Sequence, residues 1–214
     1  MAGKRTYGDP CGIARALDVI GERWALLVVR ELLLGPKRFT DLRAGMPNLS
    51  PDVLSQRLRE LEQAGVVRRG SLPAPAGSRI YELTDWGREL EPVVLGLGRW
   101  ASSRAPFPSG DATLGVDSMV LALKTLYDAR AAEDLVGTSF ELRLEDQRFE
   151  ARPAEGRLDV SRGAATAPDA TITTDPGTLE HILWHGQPLT TDALTISGDR
   201  QAAVRFLTMF PLPD

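Results

Sequence analysis

The chain reads as two domains. Residues 1–101 form a mainly α winged helix-turn-helix domain, and 102–111 a linker. Residues 112–214 form an α+β domain, an antiparallel-rich sheet with helices on one face. Three observations predict this. A capped amphipathic segment opens at Ser50-Pro51 and leads into two short β-like runs. Apolar and polar residues alternate in several stretches beyond residue 139. Charge also divides with the halves: residues 1–107 carry 16 Lys and Arg against 12 Asp and Glu, whereas 108–214 carry 9 against 17. The overall charge of −4 therefore hides a basic first half joined to an acidic second one. A length of 214 residues is enough for two modest cores.

The helix at residue 50 follows from its residues. Ser50 can cap the amino end, and Pro51 suits a first position that needs no backbone donor. Leu54, Leu58 and Leu61 recur at i, i+4 and i+7 and share a buried stripe. Asp52, Gln56, Arg59 and Gln63 lie opposite, with Ser55 and Arg57 flanking them. A shorter helix opens at Arg38-Phe39-Thr40, and 46–49 make the turn between the two. An outward Gln and Arg near a helix start suit base edges, Gln for adenine and Arg for guanine. Taken alone, the same face is equally an ordinary solvated one.

The segments that follow favour the DNA reading. Residues 66–70 and 78–83 look like paired strands, joined through the Pro- and Gly-rich stretch 73–77. Such a hairpin would carry Arg68 and Arg69, with Arg79 inward or at the tip, where a wing meets phosphates or the minor groove. The plain alternative is a hairpin edge protected by charge. Arg38, Thr40, Ser50, Asp52, Ser55, Gln56, Arg57, Arg59, Arg68, Arg69 and Arg79 form the candidate DNA-facing set.

Several segments carry a family likeness. They are 11–21 (CGIARALDVIG), Arg23-Trp24 before an apolar helix, and 35–39 (GPKRF). The same holds for 53–61 (VLSQRLREL) and 81–87 (YELTDWG). In order and spacing, residues 11–101 resemble HxlR-type winged-helix transcriptional regulators. The resemblance implies a homodimer that binds double-stranded operator DNA in bacterial cytoplasm. One departure is Gly12, where the family often has Pro after the cysteine.

A further helix is expected from Thr84, with Leu90, Val93, Val94, Leu97 and Trp100 along one stripe and a kink at Pro92. In the resembling family the first and last helices of this domain build the dimer. Two reading helices would then stand about 34 Å apart.

In the second half a helix is expected over about 111–130. Strands follow around Phe140, Phe149, Leu158, Ala170 and Leu194, and helices at 176–185 and 199–210. Phe140, Leu142 and Leu144 alternate with Glu141, Arg143 and Glu145, as in a strand with one buried face. Residues 140–144, 156–160, 168–175 and 196–199 resemble the sterol-carrier-protein-like domain. That resemblance implies an apolar tunnel for a hydrophobic small molecule. Its walls here would be Leu123, Tyr127, Phe140, Leu142, Leu183, Trp184, Phe206 and Phe210. The competing reading is that these side chains simply fill a core.

Other function classes recede. No Ser/His/Asp grouping, phosphate-binding glycine loop or paired carboxylate stands out, so neither an enzyme nor a cofactor is expected. His181 and His185 have helical i, i+4 spacing but no evident third ligand, and no metal is expected. The apolar run at 24–34 is cut by Arg30 and Glu31 and falls short of the roughly 20 residues a membrane span needs. The single cysteine, Cys11, forms no internal disulfide, consistent with the cytoplasm. Cys11 is the candidate for a redox- or electrophile-sensing alternative. The other alternative is a small-molecule binding module whose winged helix serves protein contacts.

Overall fold

The structure is a computed structural model that describes residues 6–71, 77–104, 114–190 and 192–213. Its contacts divide the chain into two compact units, Met1–Val94 and Leu95–Asp214. The division falls inside a helix. Residues 105–111 of the expected linker lie outside the described residues, as do the basic tail at 1–5 and the hairpin tip at 72–76.

The first unit runs α1 (Gly12–Ile20), α2 (Ala25–Leu33), α3 (Phe39–Gly45), α4 (Pro51–Gln63), β1 (Val67–Ser71), β2 (Arg79–Leu83) and α5 (Asp85–Arg88). Ser50 caps α4 by accepting from the Val53 N–H at 3.4 Å, with Pro51 at the first position. Leu54, Leu58 and Leu61 are buried against Val28, Val29 and Leu32 of α2 and Leu42 of α3. Gly65 ends α4. Its φ of +78° lets the Val66 N–H reach back to the Leu61 carbonyl at 2.9 Å, turning the chain into β1. β1 and β2 pair antiparallel, Val67 opposite Leu83 and Ser71 opposite Arg79. Lys37 adds a short bridge on Tyr81, exchanging backbone hydrogen bonds of 3.0 and 2.8 Å.

The long kinked helix expected from Thr84 is two helices. Thr84 caps α5 by accepting from the Gly87 N–H at 3.0 Å, and the chain then breaks at Glu89-Leu90. Pro92 becomes the second residue of α6 (Glu91–Arg104), where its missing N–H would have had no helical partner anyway. The helix restarts at the proline instead of bending through it.

The second unit comprises the rest of α6, α7 (Val116–Leu126), a 3-10 turn (Glu133–Leu135), β3 (Phe140–Leu144), β4 (Gln147–Ala154), β5 (Arg157–Arg162), β6 (Ala170–Thr174), α8 (Pro176–Trp184), β7 (Thr195–Gly198) and α9 (Arg200–Leu207). The sheet order is β5-β4-β3-β6-β7; β3 and β6 are parallel and the other neighbours antiparallel. Phe140, Leu142 and Leu144 line up with Phe149, Ala151 and Ile172 on one face, all fully buried. Helix α9 packs over β6 and β7, and α7 over β5.

Three sequence expectations are corrected here. The helix predicted over 111–130 is described only from Val116 and ends at Leu126, because Tyr127 turns extended (ψ 122°). The helix predicted to reach Phe210 stops at Leu207; Asp199 is its cap, accepting from the Ala202 N–H at 2.9 Å. Glu141, expected on the solvated face of β3, is only 2% exposed. The Ala165 N–H donates to Glu141 Oε2 at 2.9 Å and Arg143 holds its other oxygen, so the segment after β5 folds over this carboxylate.

Candidate nucleic-acid interface

Helix α4 presents its outer face through exposed Asp52, Gln56, Arg59 and Gln63; Ser55 is half-buried and Ser50 is exposed with its hydroxyl engaged in the cap. Gln56 Nε2 donates to Glu60 Oε1 at 3.0 Å along the helix. At the start of α3, Arg38 and Thr40 are exposed, and the Arg38 N–H donates to Asp41 Oδ2 at 3.1 Å. Arg43, which the sequence reading left out, is exposed in the last turn of α3.

Arg57 departs from expectation. It is 7% exposed and faces the inside of the domain. Its Nη1 lies 2.7 Å from Glu60 Oε2 and 3.3 Å from Glu22 Oε2, the latter in the turn between α1 and α2. A side chain placed there cannot contact DNA directly. Helical spacing located it beside the polar face, but packing of α1 against α4 covers that flank. In the same turn Trp24 adopts φ +77°, a left-handed conformation that is rare for a bulky residue, with the Arg23 guanidinium 5.3 Å from its ring centre.

The wing arginines do not form one cluster. Arg68 and Arg69 are successive strand residues and so point to opposite faces. Arg68 Nε donates to Glu82 Oε1 at 2.9 Å. Arg69 lies 2.9 Å from Glu62 Oε2 and over the Tyr81 ring. Arg79 is exposed at the loop end of the hairpin, opposite Ser71, beside the tip and not inward. Nearby, Glu31 is 2% exposed and holds two cations, Arg30 at 2.7 Å and Lys37 Nζ at 2.5 Å. This anchor fixes the α2–α3 joint, and sequence spacing gave no sign of it.

In the second unit, six of the eight expected tunnel residues are buried: Leu123, Tyr127, Phe140, Leu142, Phe206 and Phe210. Their rings touch one another. Phe140 and Phe206 stack with centres 4.4 Å apart, and Phe206 meets Phe210 edge-on at 5.1 Å. Leu183 and Trp184 are half-buried, and Trp184 Nε1 donates to the Phe210 carbonyl at 2.8 Å. His181 Nδ1 lies 2.8 Å from the Gly177 carbonyl, and among the described residues no group of three metal-capable side chains forms. No described helix is long and apolar enough to cross a membrane.

A capped outward helix, a preceding short helix and a β-hairpin define the class of helix-turn-helix transcriptional regulators. A family model described as HxlR-like helix-turn-helix matches residues 19–107. The chain is 43% identical over 88 residues to the uncharacterized HTH-type transcriptional regulator YvaP of Bacillus subtilis, covering 41% of this chain and 82% of that one. It is 38% identical over 86 residues to the HTH-type transcriptional regulator YodB of the same organism, covering 40% and 77%. A solved structure, the redox regulator HypR in its oxidized form, aligns at 36% identity and a TM-score of 0.40, over 45% of this chain and 99% of that one. The chain belongs to the HxlR-like helix-turn-helix family of transcriptional regulators.

Proposed function

We propose that the chain is a homodimeric regulator that reads a near-palindromic operator through Gln56 and Arg59 of α4. The observation carrying this reading is the outward row Asp52, Gln56 and Arg59 on a helix anchored by the Ser50 cap and three buried leucines. Gln56 supplies an amide for adenine and Arg59 a guanidinium for guanine. Arg38, Arg43 and Arg79 supply phosphate contacts that set register without reading sequence. Arg68 and Arg69 already pair with Glu82 and Glu62, which partly offset their charge toward a phosphate.

Dimerisation is supported by apolar side chains left in water. Ile13 and Leu17 of α1 are 73% and 41% exposed. On α6, Val93, Leu97 and Trp100 recur at i, i+4 and i+7 with exposures of 46%, 46% and 76%. Apolar stripes of this kind mark interaction surfaces.

Selection from a random duplex pool, followed by anisotropy titration at two salt concentrations, tests the reading. Tight binding to one selected sequence, weakening steeply with salt, supports it. Equal affinity for all sequences refutes it.

Two regulatory inputs accompany the proposal. Cys11 is exposed at the amino end of α1, so its oxidation or alkylation would act on a helix of the dimer surface. An oxidant response that survives Cys11→Ser excludes this input. The second input is an apolar molecule taken up by the second unit near α8, where Trp184 Nε1 donates to the Phe210 carbonyl beside the Phe206–Phe210 ring pair. Native mass spectrometry of freshly purified protein reads a retained ligand directly.

A further inference from the structure

Resting on the DNA reading above, we propose that Arg57 and Glu60 are specificity-determining positioning residues that set the amide of Gln56 for base recognition. The contacts form a continuous chain. Glu22 Oε2, in the α1–α2 turn, lies 3.3 Å from Arg57 Nη1, and that same nitrogen lies 2.7 Å from Glu60 Oε2. The other oxygen of the same carboxylate, Glu60 Oε1, accepts from Gln56 Nε2 at 3.0 Å. Thus a buried guanidinium behind the helix holds a carboxylate whose far side meets an exposed amide.

The chemistry fixes which way that amide points. An ionised carboxylate only accepts hydrogen bonds, so Gln56 must turn its NH2 toward Glu60 and its carbonyl away. One N–H is then committed to Glu60. The carbonyl oxygen and the second N–H remain, the acceptor–donor pair that matches N6 and N7 of adenine. A flipped amide would present the wrong pattern. Without Glu60 held in place, both orientations are open, and preference for adenine falls.

Arg57 also carries the signature of a side chain kept for something other than stability. It is buried, yet its Nε and Nη1 make no aligned hydrogen bond among the described residues; the carboxylates are close but off-axis. Buried donors left in this condition ask for a reason. Holding Glu60 between the α1–α2 turn and the reading face is one. Glu60 is negative and sits beside the surface that would meet phosphates, so its removal should strengthen non-specific binding while weakening discrimination.

The test uses the full-length protein and two variants, Glu60→Gln and Arg57→Met. In the DNA-free protein, NMR follows the side-chain amide of Gln56, assigned by its loss in Gln56→Ala. The parent should show a hydrogen-bonded, slowly exchanging amide, and both variants should lose that protection. On DNA, a selected operator is compared with versions changed at the base pair whose preference vanishes in Gln56→Ala. Each variant should lose about tenfold in discrimination at that pair, with non-specific affinity unchanged or raised. Undiminished discrimination in both variants, or an amide equally protected in Glu60→Gln, overturns the proposal. A parent that selects no sequence refutes the DNA reading itself. The amide protection, measured without DNA, still decides whether the chain of contacts orients Gln56. Should Arg57→Met fail to fold, Glu60→Gln decides alone.

Discussion

Arg57 and Arg59 stand two residues apart on α4 and end in opposite environments: Arg57 is 7% exposed and held between Glu22 and Glu60, whereas Arg59 is open to solvent. The same residue type therefore serves the inside of the helix at one position and its reading face at the other.

Arg59→Ala should cost about 1–3 kcal/mol of operator binding and relax preference at one base pair. Stability should change by no more than about 0.5 kcal/mol, because the side chain is exposed. Anisotropy titrations against single-base operator variants, alongside a thermal melt, check both parts.

Arg79→Ala should weaken binding to all sequences alike and lower the slope of log affinity against log salt by about one. Arg69→Ala should lower it less, because Glu62 already neutralises that guanidinium at 2.9 Å. Equal slopes for the two variants would contradict the difference drawn between them.

Acid should weaken the second unit. Burial works against ionisation of Glu141, but the Arg143 guanidinium and the Ala165 N–H outweigh it and hold the carboxyl below its usual range. Arg152 and Ser139 lower Glu150 in the same way, and the Thr178 hydroxyl and N–H lower Asp175 at the start of α8. A carboxyl lowered in the folded state adds stability above its unfolded value of about 4, and that stability is lost as pH falls through the folded value. Denaturant midpoints should hold from pH 7 to about 5 and fall below about 4. In Glu141→Gln the acid-induced drop should shrink.

Trp100→Glu should shift the protein toward monomer, since it places a charge in the exposed stripe formed with Val93 and Leu97. Sedimentation velocity reads this directly. An unchanged dimer would remove α6 from the interface.

What could be read from the chain depended on how local each cause was. The Ser50 cap and the Leu54–Leu58–Leu61 stripe are settled within a few residues, and both are present; in β3 the row Phe140, Leu142 and Leu144 is buried as its spacing implies, but Glu141 on the other face is buried too. Arg57 was misplaced because its burial depends on the α1–α2 turn, more than thirty residues earlier in the chain. Glu31 binds Lys37 across a helix end and Glu141 is covered by the Ala165 segment; neither follows a helical or strand period. Pro92 gave a true signal with the wrong consequence: it marked a helix boundary, and the break fell just before it. The wing was legible as a hairpin, but the partners of its arginines, Glu82 across from Arg68 and Tyr81 across from Arg69, required the register of β1 on β2.

The most direct test of sequence reading by α4 is one titration: parent and Arg59→Ala, each with a selected operator and a scrambled duplex of equal length. The parent should prefer the operator by at least about a hundredfold at moderate salt, and Arg59→Ala should lose most of this preference while still binding the scrambled duplex. A parent with no preference, or an Arg59→Ala variant that discriminates as well as the parent, would contradict that reading.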